Sequence, residues 1–313
     1  MEDFEKKIRD ALGEELRQNV VLSDLVSMKV GGVADFYFVA KKIDDLVKAV
    51  MTARDLNLPY FILGGGYNII PSDTGFPGLV IKNECGNIAF SEDTSEVIVD
   101  SGLHLGKLIN LSASRELGGL EFLFGIPGTV GGAVYGNAGA FDHQIGDYVK
   151  SVILLVPKDG KMVMVKKEKE GMNFSYRSSK LKEEYGGEKY KPVILTVKLQ
   201  LVRRRRDEIL SLMQQYIKQK KDSQPLEEAS AGSFFRNAGK ERQKSAGYLL
   251  DQVGAKKIRI GGAAFSRKHA NFLINRKNAS ASDIRRLADK AKGMVREKFN
   301  IELEEEIEYI GKW

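Results

Sequence analysis

A glycine-rich stretch at residues 125 to 141 constrains the fold more than any other part of the chain. It reads GIPGTVGGAVYGNAGAF and contains six glycines and three alanines, with Tyr135 as its only large ring before the closing Phe141. Glycine inside a regular element costs roughly 0.5–1 kcal/mol relative to alanine. Six glycines therefore indicate a backbone that needs positive φ angles, or one that must lie directly against another group.

A second glycine loop, LGGGYNII, occupies residues 63 to 70. Neither loop contains the G-x-x-x-x-G-K-[ST] pattern of a Walker loop. Neither is a Rossmann fingerprint, because Ile69 stands where the third glycine of G-x-G-x-x-G belongs. Two interpretations stay open: tight turns with close backbone packing, or bare main chain whose N–H groups face the phosphates of a large cofactor.

The length of 313 residues exceeds the usual size of a single core and predicts two or three domains. The single cysteine, Cys85, excludes a disulfide framework and a multi-cysteine metal site, and no metal is expected. The N-terminal sequence lacks the basic and apolar parts of a signal peptide, and no apolar run approaches the roughly 18 residues of a membrane span. A soluble, cytoplasmic protein without a membrane partner is therefore expected.

The net charge of +7 is compatible with a nucleic-acid partner or with a small anionic substrate. Lysine and arginine are spread along the chain, and the densest basic run, at 203 to 206, is followed at once by Asp207 and Glu208. Such a run is typical of a solvated face. No nucleic-acid partner is expected, and an RNA-binding protein is the weakest of the interpretations.

The spacing of apolar residues predicts a mixture of helices and strands. Residues 34 to 63 predict a β-α-β unit, with apolar side chains in helical spacing between two strands. The stretch SVILLVPKDGKMVMV predicts a β-hairpin with a turn at Asp159 and Gly160. The predicted division of the chain is 1–83, 84–202, 203–300 and a C-terminal strand in 301–313.

Six motifs follow one another along the chain. They are GGGYNII (64–70), the glycine-rich stretch, YRSSKL (176–181), SAGSFFRN (230–237), SAGYLLDQVG followed by GGAAFSRKHANFLIN (245–275), and LEEEIEYIG (303–311). Their order and spacing resemble the UDP-N-acetylenolpyruvoylglucosamine reductases, which are flavoenzymes of bacterial cell-wall synthesis. The resemblance covers nearly the whole chain. The short span after Arg177 resembles the compact type of the family, which lacks an inserted substrate-capping element.

The resemblance implies an α+β fold: a two-subdomain FAD-binding region of the vanillyl-alcohol-oxidase/PCMH-like type and a separate α+β substrate-binding domain. It also implies non-covalent FAD, with NADPH as the reductant. The implied reaction reduces the enolpyruvyl ether of UDP-N-acetylglucosamine-enolpyruvate to the lactyl ether of UDP-N-acetylmuramate. The residues that the resemblance assigns to the cofactor are Gly64, Gly65, Gly66, Asn68, Gly125, Ile126, Pro127, Gly128, Thr129, Gly131, Gly132, Asn137, Ala138 and Gly139.

The resemblance also assigns three catalytic residues. Arg177 would hold the substrate carboxylate bidentately, Ser233 would donate a proton, and Glu306 would donate to the developing enolate. Without the resemblance, Arg177 is interpreted as a paired surface arginine and Ser233 as a turn cap. Glu306 is one of five glutamates in a strand with an acidic face, and alternation cannot choose among them. The residues that would hold the nucleotide sugar are Tyr176, Lys221 and Asn237.

Two residues depart from the family pattern. Tyr67 stands where the family usually has serine, and Glu308 stands where it usually has a basic residue. Each departure weakens the assignment of one phosphate or sugar contact. Two other functions stay open: another FAD oxidoreductase on the same scaffold, and a nucleotide-sugar sensor that has lost the chemistry. Whether the protein is the reductase or another FAD oxidoreductase, its expected partner is a small molecule. The protein is expected to be a monomer.

Overall fold

The computed structural model describes residues 2–158, 161–184 and 191–313, which fold into two compact units. Unit 1 comprises Met1–Gln18, Phe36–Gly65 and Gly78–Lys218, and unit 2 comprises Asn19–Asp35, Gly66–Pro77 and Gln219–Trp313. Each unit is assembled from stretches that are distant in sequence. The continuous division at 83, 202 and 300 stays a prediction.

The helices and strands of the described residues are as follows. The α-helices are α1 Glu2–Leu12, α2 Ile43–Asp55, α3 Leu105–Ala113, α4 Val130–Tyr135, α5 Lys180–Glu184, α6 Arg206–Ser223, α7 Ala246–Gln252 and α8 Ala281–Phe299. The strands are β1 Arg17–Val21, β2 Val33–Ala40, β3 Tyr60–Leu63, β4 Ile69–Pro71, β5 Phe76–Asn83, β6 Ile88–Phe90, β7 Glu96–Asp100, β8 Leu117–Gly118, β9 Gly139–Ala140, β10 His143–Gln144, β11 Val149–Lys158, β12 Lys161–Glu168, β13 Val193–Gln200, β14 Val202–Arg203, β15 Arg259–Ile260, β16 Ala263–Phe265, β17 Leu273–Asn275 and β18 Glu308–Ile310.

The predicted β-α-β unit is confirmed by β2, α2 and β3. The sheet has the order β1-β2-β5-β3, so that β5 lies between the two strands of that unit. Helix α2 buries Leu46 and Val50, which lie on one face at helical spacing. Strands β3 and β5 run parallel, with Leu63 opposite Lys82. The first glycine loop therefore begins at the edge of this sheet, directly after Leu63.

A second sheet carries the core of unit 1. Its order is β12-β11-β13-β7-β6, and neighbouring strands are antiparallel. Strands β11 and β12 confirm the predicted hairpin, whereas its predicted turn residues, Asp159 and Gly160, lie outside the described residues. The core includes Val197 of the sheet together with Val130 and Val134 of α4. Packing of α4 on this core holds the glycine-rich stretch in place.

Unit 2 combines the small sheet β15-β16-β17 with helix α8. Helix α8 begins with a capping box, in which the Ser280 hydroxyl accepts the Asp283 N–H at 3.0 Å and the Asp283 carboxylate accepts the Ser280 N–H at 3.2 Å. Its buried face, which includes Ile284 and Leu287, shares a core with Phe234 of the SAGSFF motif. Across the described ranges, no helix combines the length and the apolar composition that crossing a bilayer requires.

The C-terminal strand is shorter than the alternation of residues 301 to 310 predicts. Only Glu308–Ile310 form a strand, which runs parallel to β4. Before it, the chain pairs with the SAGSFF segment through an isolated bridge between Phe235 and Glu305. The segment changes its pairing partner between residues 305 and 308, and this change prevents one continuous strand.

Asp73 links the loop between β4 and β5 to the start of helix α8. Its carboxylate accepts hydrogen bonds from the Ala281 N–H at 2.7 Å, the Ser282 N–H at 2.9 Å and the Ser282 hydroxyl at 2.6 Å. A carboxylate at this helix end satisfies N–H groups that have no partner within the helix.

We expect Asp73→Ala to lower the free energy of unfolding by about 1–2 kcal/mol, because a charged cap is lost. Urea denaturation measures the change. Asp289→Ala, an exposed position on the same helix, is the control and should change stability by no more than about 0.5 kcal/mol. Equal stability of the two variants would show that the cap contributes nothing.

Candidate active site

The two glycine loops come together in unit 1. A Cβ added to Gly64 would lie 2.6 Å from the Thr129 Oγ1, a separation that real Cβ atoms essentially never show. Thr129 is also the N-cap of α4, where its hydroxyl accepts the Gly132 N–H at 3.4 Å. The first loop can therefore approach the second only because Gly64 has no side chain.

Within the second loop, glycines serve different purposes. Gly131 packs against Ser101, since an added Cβ would lie 2.8 Å from the Ser101 Cβ. Gly128 has a φ of +132° and meets nothing within 4 Å of an added Cβ, so its bare main chain borders open space. Gly131 and Gly64 therefore agree with the interpretation as close backbone packing. Gly128 agrees with the other interpretation, in which bare main chain is open to a cofactor.

Asn137 joins the second loop to Ser175, the residue directly before the YRSSKL motif. It is buried at a φ of 45°, and its Oδ1 accepts the Gly146 N–H at 3.0 Å. Its Nδ2 donates to the Gln144 Oε1 at 2.8 Å and to the Ser175 carbonyl at 2.6 Å. The side chain is thus bonded to the protein itself, and the cofactor role predicted for Asn137 remains a prediction.

Arg177 lies beside the end of the glycine-rich stretch. It adopts a φ of 55°, which is uncommon for a residue with a side chain and costs conformational free energy. Two main-chain hydrogen bonds between Ser175 and Ser178 close the turn around it. An added Cβ on Gly139 would lie 3.3 Å from the Arg177 Nη1, and the guanidinium stands 5.5 Å from the centre of the Tyr176 ring. The structure therefore brings Arg177, Gly139 and Tyr176 together.

Unit 2 brings the SAGSFF motif and the C-terminal segment together. The Glu306 N–H donates to the Phe234 carbonyl at 2.8 Å, and the Arg236 N–H donates to the Glu304 carbonyl at 2.8 Å. On the other side of the motif, Asn271 accepts the Phe234 N–H at its carbonyl at 2.8 Å. Ser233, directly before Phe234, is half-buried. These main-chain hydrogen bonds join the segments 233–236 and 304–306 into a ladder, so Ser233 and Glu306 lie on neighbouring segments.

Residues 66 to 68 of the first glycine loop belong to the same ladder. The Asn68 Nδ2 donates to the Glu306 carbonyl at 3.2 Å, and the Asn68 carbonyl accepts the Glu308 N–H at 2.9 Å. The Ser27 hydroxyl donates to the Ser230 carbonyl at 2.6 Å, while the Ser27 N–H donates to the Gly66 carbonyl at 3.0 Å. Unit 2 thus places Asn68 next to Glu306, and both are tied to the segment that carries Ser233.

Three of the five glutamates of the C-terminal segment form ion pairs with basic residues. Glu302 pairs with Arg296 at 3.9 Å and Glu304 pairs with Arg236 at 3.7 Å. Glu305 pairs with Lys292 at 3.6 Å and accepts the Tyr309 hydroxyl at 3.4 Å. Burial raises the pKa of Tyr309, and the charge of Glu305 adds to the rise. Glu305 is thereby engaged in a structural contact. The main chain of Glu306 bonds to the SAGSFF segment at Phe234.

The two remaining residues predicted to bind the substrate, Asn237 and Lys221, are exposed. Asn237 is exposed, and its Oδ1 accepts the Ala246 N–H at the start of α7 at 3.0 Å. Lys221 is exposed at the end of α6, and its carbonyl accepts the Lys268 ammonium. Of the two departures from the family pattern, Tyr67 is exposed and Glu308 is half-buried.

Lys82 on β5 is a residue of this site that the sequence does not predict. Its ammonium donates to the Gly64 carbonyl at 2.6 Å, and burial lowers its pKa while Glu84 opposes the effect. The only sequence signal is a lysine in the otherwise apolar strand GLVIKN. Among the described residues, no group of three or more His, Cys, Asp and Glu side chains is placed to hold a metal ion.

Comparison with known proteins agrees with the two halves of this arrangement. Residues 34–166 match the FAD binding domain family, and residues 224–310 match the family of the UDP-N-acetylenolpyruvoylglucosamine reductase C-terminal domain. A UDP-N-acetylenolpyruvoylglucosamine reductase from Clostridium novyi (strain NT) is 36% identical over 312 residues, which cover 99% of this chain and 97% of that protein. The chain belongs to the UDP-N-acetylenolpyruvoylglucosamine reductase family.

Other members of the reductase family are also similar to this chain over nearly its whole length. The reductase from Anoxybacillus flavithermus (strain DSM 21510 / WK1) is 36% identical over 313 residues and covers both chains in full. The crystal structure of the Thermus caldophilus enzyme superimposes with a TM-score of 0.74 at 32% identity, covering 94% of this chain and 99% of that one. The predicted fold class, an FAD-binding region of the vanillyl-alcohol-oxidase/PCMH-like type with a separate α+β domain, is confirmed.

The contact between Gly64 and Thr129 predicts a coupled effect on stability. Gly64→Ala should lower the free energy of unfolding by about 1–3 kcal/mol, because its Cβ overlaps the threonine hydroxyl. Thr129→Ala alone should cost about 1 kcal/mol through loss of the helix cap. The double variant should be more stable than the sum of the two losses predicts, by about 1 kcal/mol. Denaturation of all three variants measures this coupling.

Gly132→Ala is the matched control, because an added Cβ there comes no closer than 3.6 Å to the Thr129 hydroxyl. It should not lower stability, since alanine is favoured over glycine inside a helix. Strictly additive losses at positions 64 and 129 would contradict the close approach of the two loops.

His269 predicts a pH dependence of stability. Burial lowers its pKa, with a contribution from Lys256, and its Nδ1 accepts the Asn271 N–H at 3.1 Å, which requires the neutral ring. Unfolding restores a pKa of about 6.5, so the unfolded chain binds the proton more tightly. This contribution to stability is complete above that pH and is lost as the pH falls through the lowered folded pKa.

We therefore expect His269→Gln to make the free energy of unfolding less sensitive to acidification between about pH 7 and pH 5. Urea titrations across this range give the comparison, with exposed His104→Gln as the control. An unchanged acid sensitivity in His269→Gln would mean that other groups produce it.

Proposed function

We propose that this protein catalyses the NADPH-dependent reduction of UDP-N-acetylglucosamine-enolpyruvate to UDP-N-acetylmuramate, a step of peptidoglycan precursor synthesis. Membership of the reductase family over the full chain supports the reaction class. The observation that carries the proposal is the ladder of unit 2, in which the Glu306 N–H bonds to the Phe234 carbonyl directly after Ser233. The main-chain segments that carry Ser233 and Glu306 are thereby held in a fixed register.

The residues of unit 1 fit an FAD cofactor. The main chain at Gly128 borders open space. The glycines at 64 and 65 start a loop whose Gly64 carbonyl accepts a hydrogen bond from Lys82. Bare N–H groups and a nearby cation suit a pyrophosphate. Neither glycine loop contains a histidine or cysteine for covalent attachment, which favours non-covalent binding. When bound, FAD would accept a hydride from NADPH and deliver it to the substrate double bond.

Arg177 is proposed to bind the carboxylate of the enolpyruvyl group. Its guanidinium can form two parallel hydrogen bonds with a carboxylate, whereas lysine offers a single point charge. The closed turn between Ser175 and Ser178 holds the main chain of Arg177, and its Nη1 would lie 3.3 Å from a Cβ added to Gly139. A fixed cation stabilises the negative charge that builds up next to the carboxylate during reduction.

Ser233 is proposed to donate a proton to the carbon that carries this negative charge. Within its segment the turn-type hydrogen bond belongs to a different serine, because the Ser230 hydroxyl accepts the Gly232 N–H at 3.5 Å. This observation favours a chemical role for Ser233 over a turn cap. Glu306, in the adjacent part of the ladder, is proposed to donate a hydrogen bond to the developing enolate oxygen.

Binding of the nucleotide sugar is proposed to involve Tyr176, Lys221 and Asn237. The exposure of all three leaves them accessible to a ligand. The hydrogen bond from Ala246 to the Asn237 Oδ1 leaves the amide nitrogen of that side chain to donate to an anionic group. A monomeric state and a cytoplasmic location remain predictions from the sequence.

The role of Ser233 can be tested by separating the two halves of the reaction. In Ser233→Ala, bleaching of the flavin by NADPH should be normal, because that step needs nothing from the hydroxyl. Reoxidation of the reduced flavin by the enolpyruvyl nucleotide sugar should be slowed roughly 10²-fold or more, the usual range for loss of a general acid. Stopped-flow absorbance measures both steps.

Ser230→Ala is the matched control, since it removes a hydroxyl three residues earlier in the same loop. Both of its half-reactions should stay within about twofold of the wild-type rates. Reoxidation of Ser233→Ala at the wild-type rate would remove Ser233 from the chemistry. Equal slowing of both halves would point to a disturbed site instead.

A further inference from the structure

Lys82 occupies an unusual place for a lysine, on the strand β5 that lies between β2 and β3 in their sheet. It lies opposite Leu63 in the pairing of β5 with β3, and its side chain is half-buried. From this position the ammonium reaches past the end of β3 and donates to the Gly64 carbonyl at 2.6 Å. A short hydrogen bond from a charged donor is stronger than one between neutral groups. The first peptide of the glycine loop is therefore anchored to the sheet.

The peptide between Gly64 and Gly65 is restrained by two groups. The Thr129 hydroxyl lies so close to Gly64 that an added Cβ would be only 2.6 Å away. The hydrogen bond from Lys82 fixes the direction of the Gly64 carbonyl. In a trans peptide the carbonyl and the following N–H point in opposite directions. The Gly65 N–H must therefore point away from Lys82.

We propose that Lys82 is a positioning residue of the FAD site, which orients the Gly64–Gly65 peptide so that the Gly65 N–H faces the cofactor's pyrophosphate. A glycine–glycine peptide without this anchor can rotate, because neither residue restricts its own backbone angles. The ammonium also adds a positive charge on the carbonyl side of the peptide, which favours an anion on the N–H side. This inference rests on the proposed binding of FAD at the glycine loops.

The alternative is that Lys82 only satisfies a half-buried carbonyl and contributes to the stability of the sheet. The two roles differ in the property that a substitution changes. A purely structural lysine affects the unfolding of the apoprotein and leaves the affinity for FAD unaltered once the protein is folded. A positioning lysine changes the affinity for FAD, because the N–H donor is no longer held toward the ligand.

The test compares Lys82→Met and Lys82→Arg with the wild-type protein. Methionine keeps an unbranched apolar stem without the charged donor, whereas arginine keeps both charge and donor. We expect the dissociation constant of FAD, measured by fluorescence titration of the apoprotein, to rise about tenfold or more in Lys82→Met, as loss of one charge-assisted hydrogen bond implies. Lys82→Arg should recover most of this loss.

Lys198→Met is the matched control, because Lys198 is another half-buried lysine of a strand in unit 1 and donates to Glu96 at 2.8 Å. It should leave the affinity for FAD unchanged. Unchanged FAD affinity in Lys82→Met would overturn the inference. The inference would also be overturned if Lys82→Arg lost as much affinity for FAD as Lys82→Met and still unfolded at the wild-type temperature. Failure of the wild-type protein to bind FAD would instead refute the proposed function itself.

Discussion

Main-chain hydrogen bonds between segments distant in sequence determine how the segments that carry Ser233 and Glu306 are arranged. The Phe234 carbonyl accepts the Glu306 N–H, and the Asn68 carbonyl accepts the Glu308 N–H. Bonds of this kind fix the register of a segment independently of its side chains. Register matters here because the C-terminal segment carries five glutamates in seven residues. A shift by one residue would place a neighbouring carboxylate where Glu306 now stands.

The glycine loops show that packing and ligand binding need the same residue type for different reasons. Gly64 and Gly131 have no room for a side chain, since an added Cβ would lie within 3 Å of Thr129 and Ser101 respectively. Gly128 has room but no neighbour, and its φ of +132° disfavours other residues. The close approaches hold the two loops together, and this assembly keeps the open main chain of Gly128 in a fixed place.

Local periodicity was sufficient to predict the β-α-β unit and the β11–β12 hairpin. The order of the motifs also identified the segments that carry Arg177, Ser233 and Glu306. Periodicity failed at residues 301 to 304, where alternating apolar and acidic residues resemble a strand although the chain pairs irregularly with the SAGSFF segment. Alternation describes a side-chain pattern and contains no information about the pairing partner.

The contacts that sequence reasoning missed depend on residues far apart in the chain. The role of Lys82 follows from the parallel register of β3 and β5, which no local pattern specifies. The side chain of Asn137 looked available for a cofactor, yet it bonds to Gly146, Gln144 and Ser175. Likewise, no local signal separates Gly65 from Gly66, which belong to different compact units.

The parallel pairing of β4 with β18 has a consequence for the order of folding. These strands join Ile69–Pro71 to Glu308–Ile310, so that closing this contact brings together regions from opposite ends of the sequence. Contacts of such high sequence separation incur a large loss of chain entropy before they contribute to stability, and they form slowly. Local pairs such as the β11–β12 hairpin can form early. We therefore expect the segment bearing Glu306 to reach its final place late in folding.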